Sequence, residues 1–168
     1  MEYVRLVFAD LNGAMKGKMV PKNEYDQTAT YGMPRSALMQ DIEGEENATV
    51  EGCTPESGDT DMRLVPVQET YCSAPGNEGM DQVIVDIKDA NSGTLSASPR
   101  SVLQRAVERL ESFGYSAKAA TELEFYVLKS DGELYDAHEL AQPYGDMNAL
   151  DKLGGLLNEL VEGTATIG

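Results

Sequence analysis

Asn12-Gly13 divides two short runs of alternating character, "YVRLVFADL" before the pair and "AMKGKMVP" after it. Both residues accept the positive φ that a tight primed turn demands, so the dipeptide is a strong hairpin signal. Val4, Leu6 and Phe8 alternate with Tyr3, Arg5 and Val7, a period of two that predicts a strand. Ala14 to Val20 is then the returning strand, closed by Pro21. An opening of this kind commits the chain to a sheet.

Further along, the spacing predicts a short helix around Asn23 to Tyr31, then an acidic loop over residues 41 to 61. Met62 to Val67 and Gln82 to Lys88 read as strands, the second with Val83, Val85 and Ile87 on one face. "NSGT" turns the chain at residues 91 to 94. The strongest helix follows at "SPRSVLQRAVERLESFG". Ser98 is placed as N-cap, and Pro99 suits the first helical position, where its missing N–H costs nothing. Val102, Leu103, Ala106, Val107, Leu110 and Phe113 fall on one helical stripe, and Gly114 closes the helix. "AATELEFYVL" should be a strand, with a turn at Asp131-Gly132 and a return through Leu134. Met147 to Val161 is helical by period despite Gly154-Gly155, and "TATIG" could begin another strand. The expected class is α+β, with residues 1–97 as one module and 98–168 as a second.

Charge narrows the function. With 29 acidic against 13 basic residues, the formal net charge is −16. Nucleic acids and anionic membranes both need basic footprints, so neither is expected as a partner. No stretch approaches the ~20 apolar residues of a membrane span. Arg5, Asp10, Lys16 and Lys18 interrupt the opening too often for a signal peptide. Cys53 and Cys72 make no disulfide framework, so the expected setting is reducing and cytoplasmic. Neither cysteine has a base at a recognisable spacing. His138, Lys129 and Arg105 read as surface residues, His138 having nothing nearby at metal-ligand spacing.

The strand 119–128 carries Glu122 and Glu124 two residues apart, while Leu123, Phe125 and Val127 face the other way. On a strand such residues project from one face, roughly 6.5–7 Å apart. Hard cations such as Mg²⁺ or Mn²⁺ prefer oxygen ligands, and a rigid carboxylate pair suits them. The same alternation also describes a half-buried strand whose polar side merely meets water.

A β-rich module, then "SPRSVLQRAVERLESFGY", then "ATELEFYVL" resembles the glutamine synthetase superfamily, in which a DPR-type segment opens a helix and a Glu-x-Glu-Phe strand follows. "VRLVFADLNGAMKGKMVP" is similar to the family's opening hairpin, and "SGDTDMRLVPV" to its Asp-Met/Ile-x-Leu-x-Pro segment. The Asp-Ile-x-Gly and Gly-Asp-x-Asp layout of residues 39–72 resembles most the glutamylpolyamine-synthetase-like branch; the Asp-Gly-Ser-Ser motif of ordinary glutamine synthetases is absent.

The resemblance implies a β-grasp-like module over 1–97 and the start of a catalytic domain over 98–168. It implies Glu122 and Glu124 as ligands of the Mg²⁺ or Mn²⁺ that carries ATP, and Asp61 beside a cationic amine, although a turn residue capping the next strand would look the same. The family reaction phosphorylates glutamate and lets ammonia or an amine displace phosphate. The family's further ligands should lie beyond residue 168, so the isolated chain is expected to be inactive. Two roles follow: the front of a ligase, assembled as a homo-oligomer or completed by another chain, or a shortened paralogue that docks on a full-length synthetase subunit. In the second role the apolar face from Leu153 to Val161 is a contact surface, unless it packs against the Ser98 helix.

Overall fold

Strand β1 (Tyr3–Ala9) and strand β2 (Met15–Pro21) form the hairpin that the Asn-Gly pair demands. Gly13 takes φ 80°, and the turn is held from inside by Asp10. The Asp10 side chain is 1% exposed, and its Oδ1 accepts from the backbone N–H of Asn12 and of Ala14, both at 2.9 Å. The computed structural model describes residues 2–46, 58–91, 93–135 and 147–167, the side chains of 149 and 150 excepted. The chain divides into two units, Met1–Ser116 with Thr166–Gly168, and Ala117–Ala165.

The first unit is a six-stranded mixed sheet. With β3 (Tyr31–Pro34), β4 (Asp61–Pro66), β5 (Cys72–Ser73) and β6 (Met80–Lys88), the order is β2-β1-β6-β4-β3, and β5 also pairs with β6. The central pair β1–β6 is parallel, with Leu6 opposite Val83; the other pairings are antiparallel. One face carries the core, where Val4, Leu6, Leu64, Val83 and Val85 are fully buried. Burial of that many branched side chains, at about 25 cal/mol per Å² of apolar area, is what holds the sheet.

β2 and β3 lie at opposite ends of the strand order, yet Lys18 Nζ of β2 donates to the carbonyl of Gly32 in β3 at 3.0 Å. Lys16 Nζ similarly reaches Gln40 Oε1 at 2.8 Å. The sheet therefore curls until its two edges approach, and lysine stems on the concave side cross between them.

Several expectations need correction. The predicted helix at Asn23–Tyr31 is only a 3₁₀ turn over Lys22–Glu24, after which the chain extends into β3. Asp26 is the cause: its Oδ1 accepts from Thr28 N at 2.8 Å and Thr28 Oγ1 at 2.7 Å, a local turn that competes with helix. Helix α1 (Pro99–Ser112) forms where expected, and Gly114 at φ 81° ends it. Its apolar stripe is not buried, however: Leu103 is 63% and Phe113 65% exposed. The helix is anchored near its start instead, by buried Ser98 and Ser101 and by Arg100 Nε donating to Asp86 Oδ1 at 2.8 Å.

In the second unit, 119–128 forms no strand ladder. Leu128 bridges to Leu134 across the Asp131-Gly132 turn, but Leu123 and Phe125 are 82% and 61% exposed rather than in a core. A strand needs a neighbour for its N–H and C=O groups, and the hairpin return is too short to supply one. The last helical segment splits at Leu153 into α2 (Met147–Lys152) and α3 (Gly154–Ile167), as two adjacent glycines would cause. α3 runs on through "TATI", where a strand start was expected; Thr164 Oγ1 bonds back to the Leu160 carbonyl at 2.9 Å. His138 and Cys53 lie outside the described residues.

Candidate functional site

Asp61 opens β4, opposite Pro34 in the register with β3, and is exposed. Its carboxylate lies against Gly32, so closely that a Cβ at position 32 would stand 2.5 Å from Asp61 Oδ2. The absent side chain is what makes room for the carboxylate. Gly32 also accepts Lys18 Nζ through its carbonyl, so this edge already handles one ammonium group. Just upstream, Asp59 fixes the approach to β4: its Oδ1 accepts from Ser36 N at 3.0 Å and its Oδ2 from Ser36 Oγ at 2.5 Å. An exposed carboxylate on a braced strand end can meet a cationic group from solvent.

Glu122 and Glu124 belong to the second unit and are exposed. Neither makes a hydrogen bond or ion pair with a described residue. Their oxygen chemistry fits a hard divalent ion. Their number does not: among the described residues no group of three or more His, Cys, Asp or Glu side chains could hold a metal. Mg²⁺ keeps its waters unless several ligands compete for it, so two glutamates alone do not make a site for it. Arg105 is engaged with the Ser96 carbonyl at 2.9 Å, in agreement with a surface role.

A polar constellation that the sequence reading missed joins Lys22, Tyr71, Ser73 and Asp81. Lys22 Nζ lies 2.6 Å from Asp81 Oδ2, and the Tyr71 hydroxyl donates to the same oxygen at 2.5 Å. Asp81 is 8% exposed. The Lys22 ammonium, then the Tyr71 hydroxyl, holds its carboxyl below the usual range, while the Asp81 hydrogen bond raises Lys22. Burial, then the Asp81 carboxylate, pushes the Tyr71 phenol up to about 12. Such a closed ion pair serves as a pin between β6 and the chain after β2. Lys22 is far from the other three in sequence, and Tyr71 and Ser73 reach Asp81 only through the β5–β6 pairing, so no helical or strand spacing could signal the group.

Residues 96–168 match the glutamine synthetase catalytic-domain family. Across most of the chain there are named relatives. Glutamate–isopropylamine ligase of a Pseudomonas species is 29% identical over 157 residues, 92% of this chain and 33% of the relative. Glutamine synthetase of Pyrococcus furiosus is 30% identical over 166 residues, 96% of this chain and 34% of the relative. Gamma-glutamylputrescine synthetase PuuA of Escherichia coli is 30% identical over 177 residues, 96% and 37% respectively. A solved GmaS–ADP complex superposes with a TM-score of 0.67 at 18% identity, covering all of this chain and 37% of that one. The chain thus spans about a third of the length of the relatives it matches. The glutamine synthetase and the gamma-glutamylputrescine synthetase stand at the same identity, so similarity alone does not divide them. Among the described residues no helix is long and apolar enough to cross a membrane.

Proposed function

We propose, from the premise that this chain belongs to the glutamine synthetase superfamily, that it is the amino-terminal part of an ATP-dependent ligase joining glutamate to ammonia or an amine. The observation that carries the proposal is the match of residues 96–168 to the catalytic-domain family, continued upstream by relatives that cover over nine-tenths of the chain. The start of that match supports a boundary near residue 98 between a β-grasp-like module and the catalytic domain. The parallel β1–β6 pair beside a hairpin is compatible with the β-grasp assignment.

In this reading Glu122 and Glu124 hold Mg²⁺ or Mn²⁺ together with ligands from polypeptide other than the described residues. The ion would neutralise phosphate charge on ATP. Asp61 receives or orients the ammonium group of the amine substrate, an electrostatic role suited to an exposed carboxylate on a fixed strand end. A glutamyl phosphate forms first, and the amine then displaces phosphate. The active form is an oligomer, of this chain or with a full-length synthetase subunit. Exposed Leu123, Phe125 and Tyr126 support completion by further polypeptide, since apolar side chains at 61–83% exposure gain from cover. The same surface suits the second role, a non-catalytic paralogue that modulates a synthetase.

The deciding assay is phosphate release from ATP in the presence of Mg²⁺, glutamate and either ammonium or putrescine. The chain alone should release none above background. Release on addition of a polypeptide carrying the rest of the family fold establishes the ligase reading, and dependence on ammonium or putrescine identifies the amine. No release with that addition, but inhibition of a complete synthetase, establishes the modulator instead.

A further inference from the structure

The tip of the opening hairpin carries a chemically reactive pair. Asn12 is the one asparagine of the chain followed by glycine, and both residues are exposed. Gly13 has no side chain to screen its nitrogen, and even a Cβ at that position would meet nothing within 4 Å. The Asn12 side-chain amide and the Gly13 main-chain nitrogen are therefore neighbours with open solvent beside them.

Two hydrogen bonds restrain the pair. Asn12 Nδ2 donates to the Gln40 carbonyl at 2.6 Å, and Gly13 N–H donates to the Asp10 carbonyl at 3.1 Å. A nitrogen whose proton is held in that way is a poor nucleophile. Both bonds lie at an exposed turn, where local opening costs far less than unfolding of the sheet. The first bond also has a structural task, since with Leu11 N–H on the Leu38 carbonyl at 3.3 Å it fastens the hairpin tip to the segment after β3.

We propose that Asn12 is a site of intramolecular deamidation in the folded chain, gated by the Gly13–Asp10 hydrogen bond. The Gly13 nitrogen gives its proton to solvent base and attacks Asn12 Cγ. The N–Cγ bond forms as the Cγ–Nδ2 bond breaks, and Nδ2 leaves as ammonia. Water then opens the cyclic imide: cleavage at Cγ gives aspartate, and cleavage at the Asn12 main-chain carbonyl carbon gives isoaspartate. The sum is one water consumed and one ammonia released, with no change of oxidation state. Either product has lost the donor that reached Gln40 and sets a carboxylate against that carbonyl oxygen, so the tip comes free of the segment after β3. Isoaspartate also adds a methylene to the main chain of a turn whose length is set by Asp10 Oδ1, which accepts from Asn12 N and Ala14 N at 2.9 Å. The site is independent of the ligase reading.

Peptide mapping by mass spectrometry of the full chain, held at mildly alkaline pH, tests the site, with enzymatic methylation of isoaspartate as a second readout. Asn12 should convert several-fold faster than Asn77. That residue is also exposed and donates Nδ2 to a main-chain carbonyl, that of Pro75 at 3.2 Å, but Glu78 follows it. Urea should speed Asn12 several-fold further, because unfolding removes both restraining bonds. Gly13→Ala should slow conversion several-fold in urea, where the folding of the variant plays no part. Asn12→Asp, the aspartate product, should exchange its Leu11 amide proton faster than the parent chain. Conversion of Asn12 no faster than that of Asn77, equal rates in native buffer and in urea, no slowing in Gly13→Ala, or unchanged Leu11 exchange in Asn12→Asp overturns the proposal.

Discussion

Lys22 Nζ sits 2.6 Å from Asp81 Oδ2, a contact that ties the segment leaving the opening hairpin to the start of β6. Tyr71 completes it from a third segment. The pin titrates at both ends of the pH scale, with opposite signs. Asp81 has its folded pKa depressed, so its contribution is present above the unfolded value of 3.8 and is lost as pH falls through the lower folded value. Lys22 and Tyr71 have theirs raised, so their contributions hold below their ordinary values of 10.5 and 10.0. They fade as pH rises; for Tyr71 the window runs from 10.0 to about 12. Chemical denaturation across pH should show stability falling below 3.8 and above 10.0. In Tyr71→Phe the alkaline fall should shrink.

Tyr71→Phe also removes a hydrogen bond to a buried carboxylate. It should cost about 1.5–3 kcal/mol at neutral pH, read from urea midpoints. Asp81→Asn should cost at least as much, because it leaves the ammonium without its counter-charge.

Gly17 is opposite Val7 in the β1–β2 ladder, and a Cβ there would collide with the Leu6 carbonyl oxygen, a backbone atom that cannot turn aside. Gly17→Ala should therefore force the hairpin apart and destabilise the chain by about 1–3 kcal/mol. A Gly13→Ala exchange meets empty space and is penalised only through its positive φ. Thermal melts of the two variants should rank in that order.

Gly32→Ala acts on the candidate amine site without replacing its carboxylate. The new methyl would press on Asp61 Oδ2, the movable end of a side chain, so folding should survive while the carboxylate swings away. In an active assembly the KM for the amine should rise with kcat and the KM for ATP little changed. An unchanged amine KM removes Asp61 from the site.

Glu122→Gln with Glu124→Gln should leave the melting of the chain within about 0.5 kcal/mol, since both side chains are exposed and unbonded. In the completed assembly the same pair should weaken Mn²⁺ by tenfold or more, about 1.4 kcal/mol, and suppress phosphate release. Full Mn²⁺ affinity in the double variant would remove the metal role.

Local signals carried the hairpin, β4, β6 and α1 into the fold within a residue or two, because Asn12-Gly13, the Val83-Val85-Ile87 alternation and Ser98-Pro99 each act over a few residues. The parallel β1–β6 pairing was not legible: the two strands are far apart in sequence, and nothing in either one records its neighbour. Nor was the helical failure near Asp26, where a single carboxylate outbid the helix through Thr28. The stripe of α1 and the alternation at 119–128 were read correctly as patterns, but a pattern states what a side chain prefers and not whether cover is present. Asp61 was legible as a residue; the glycine that makes room for it was not, since position 32 carries no side chain to notice.

Closure of the sheet by Lys16 and Lys18 has a consequence for assembly. Lysine stems that cross from β2 to β3 and to Gln40 put ammonium groups where an added strand would have to pair. Charged stems at an edge disfavour strand addition, so a newcomer to this unit is better received on the flank where Met15, Met19 and Ile84 are exposed.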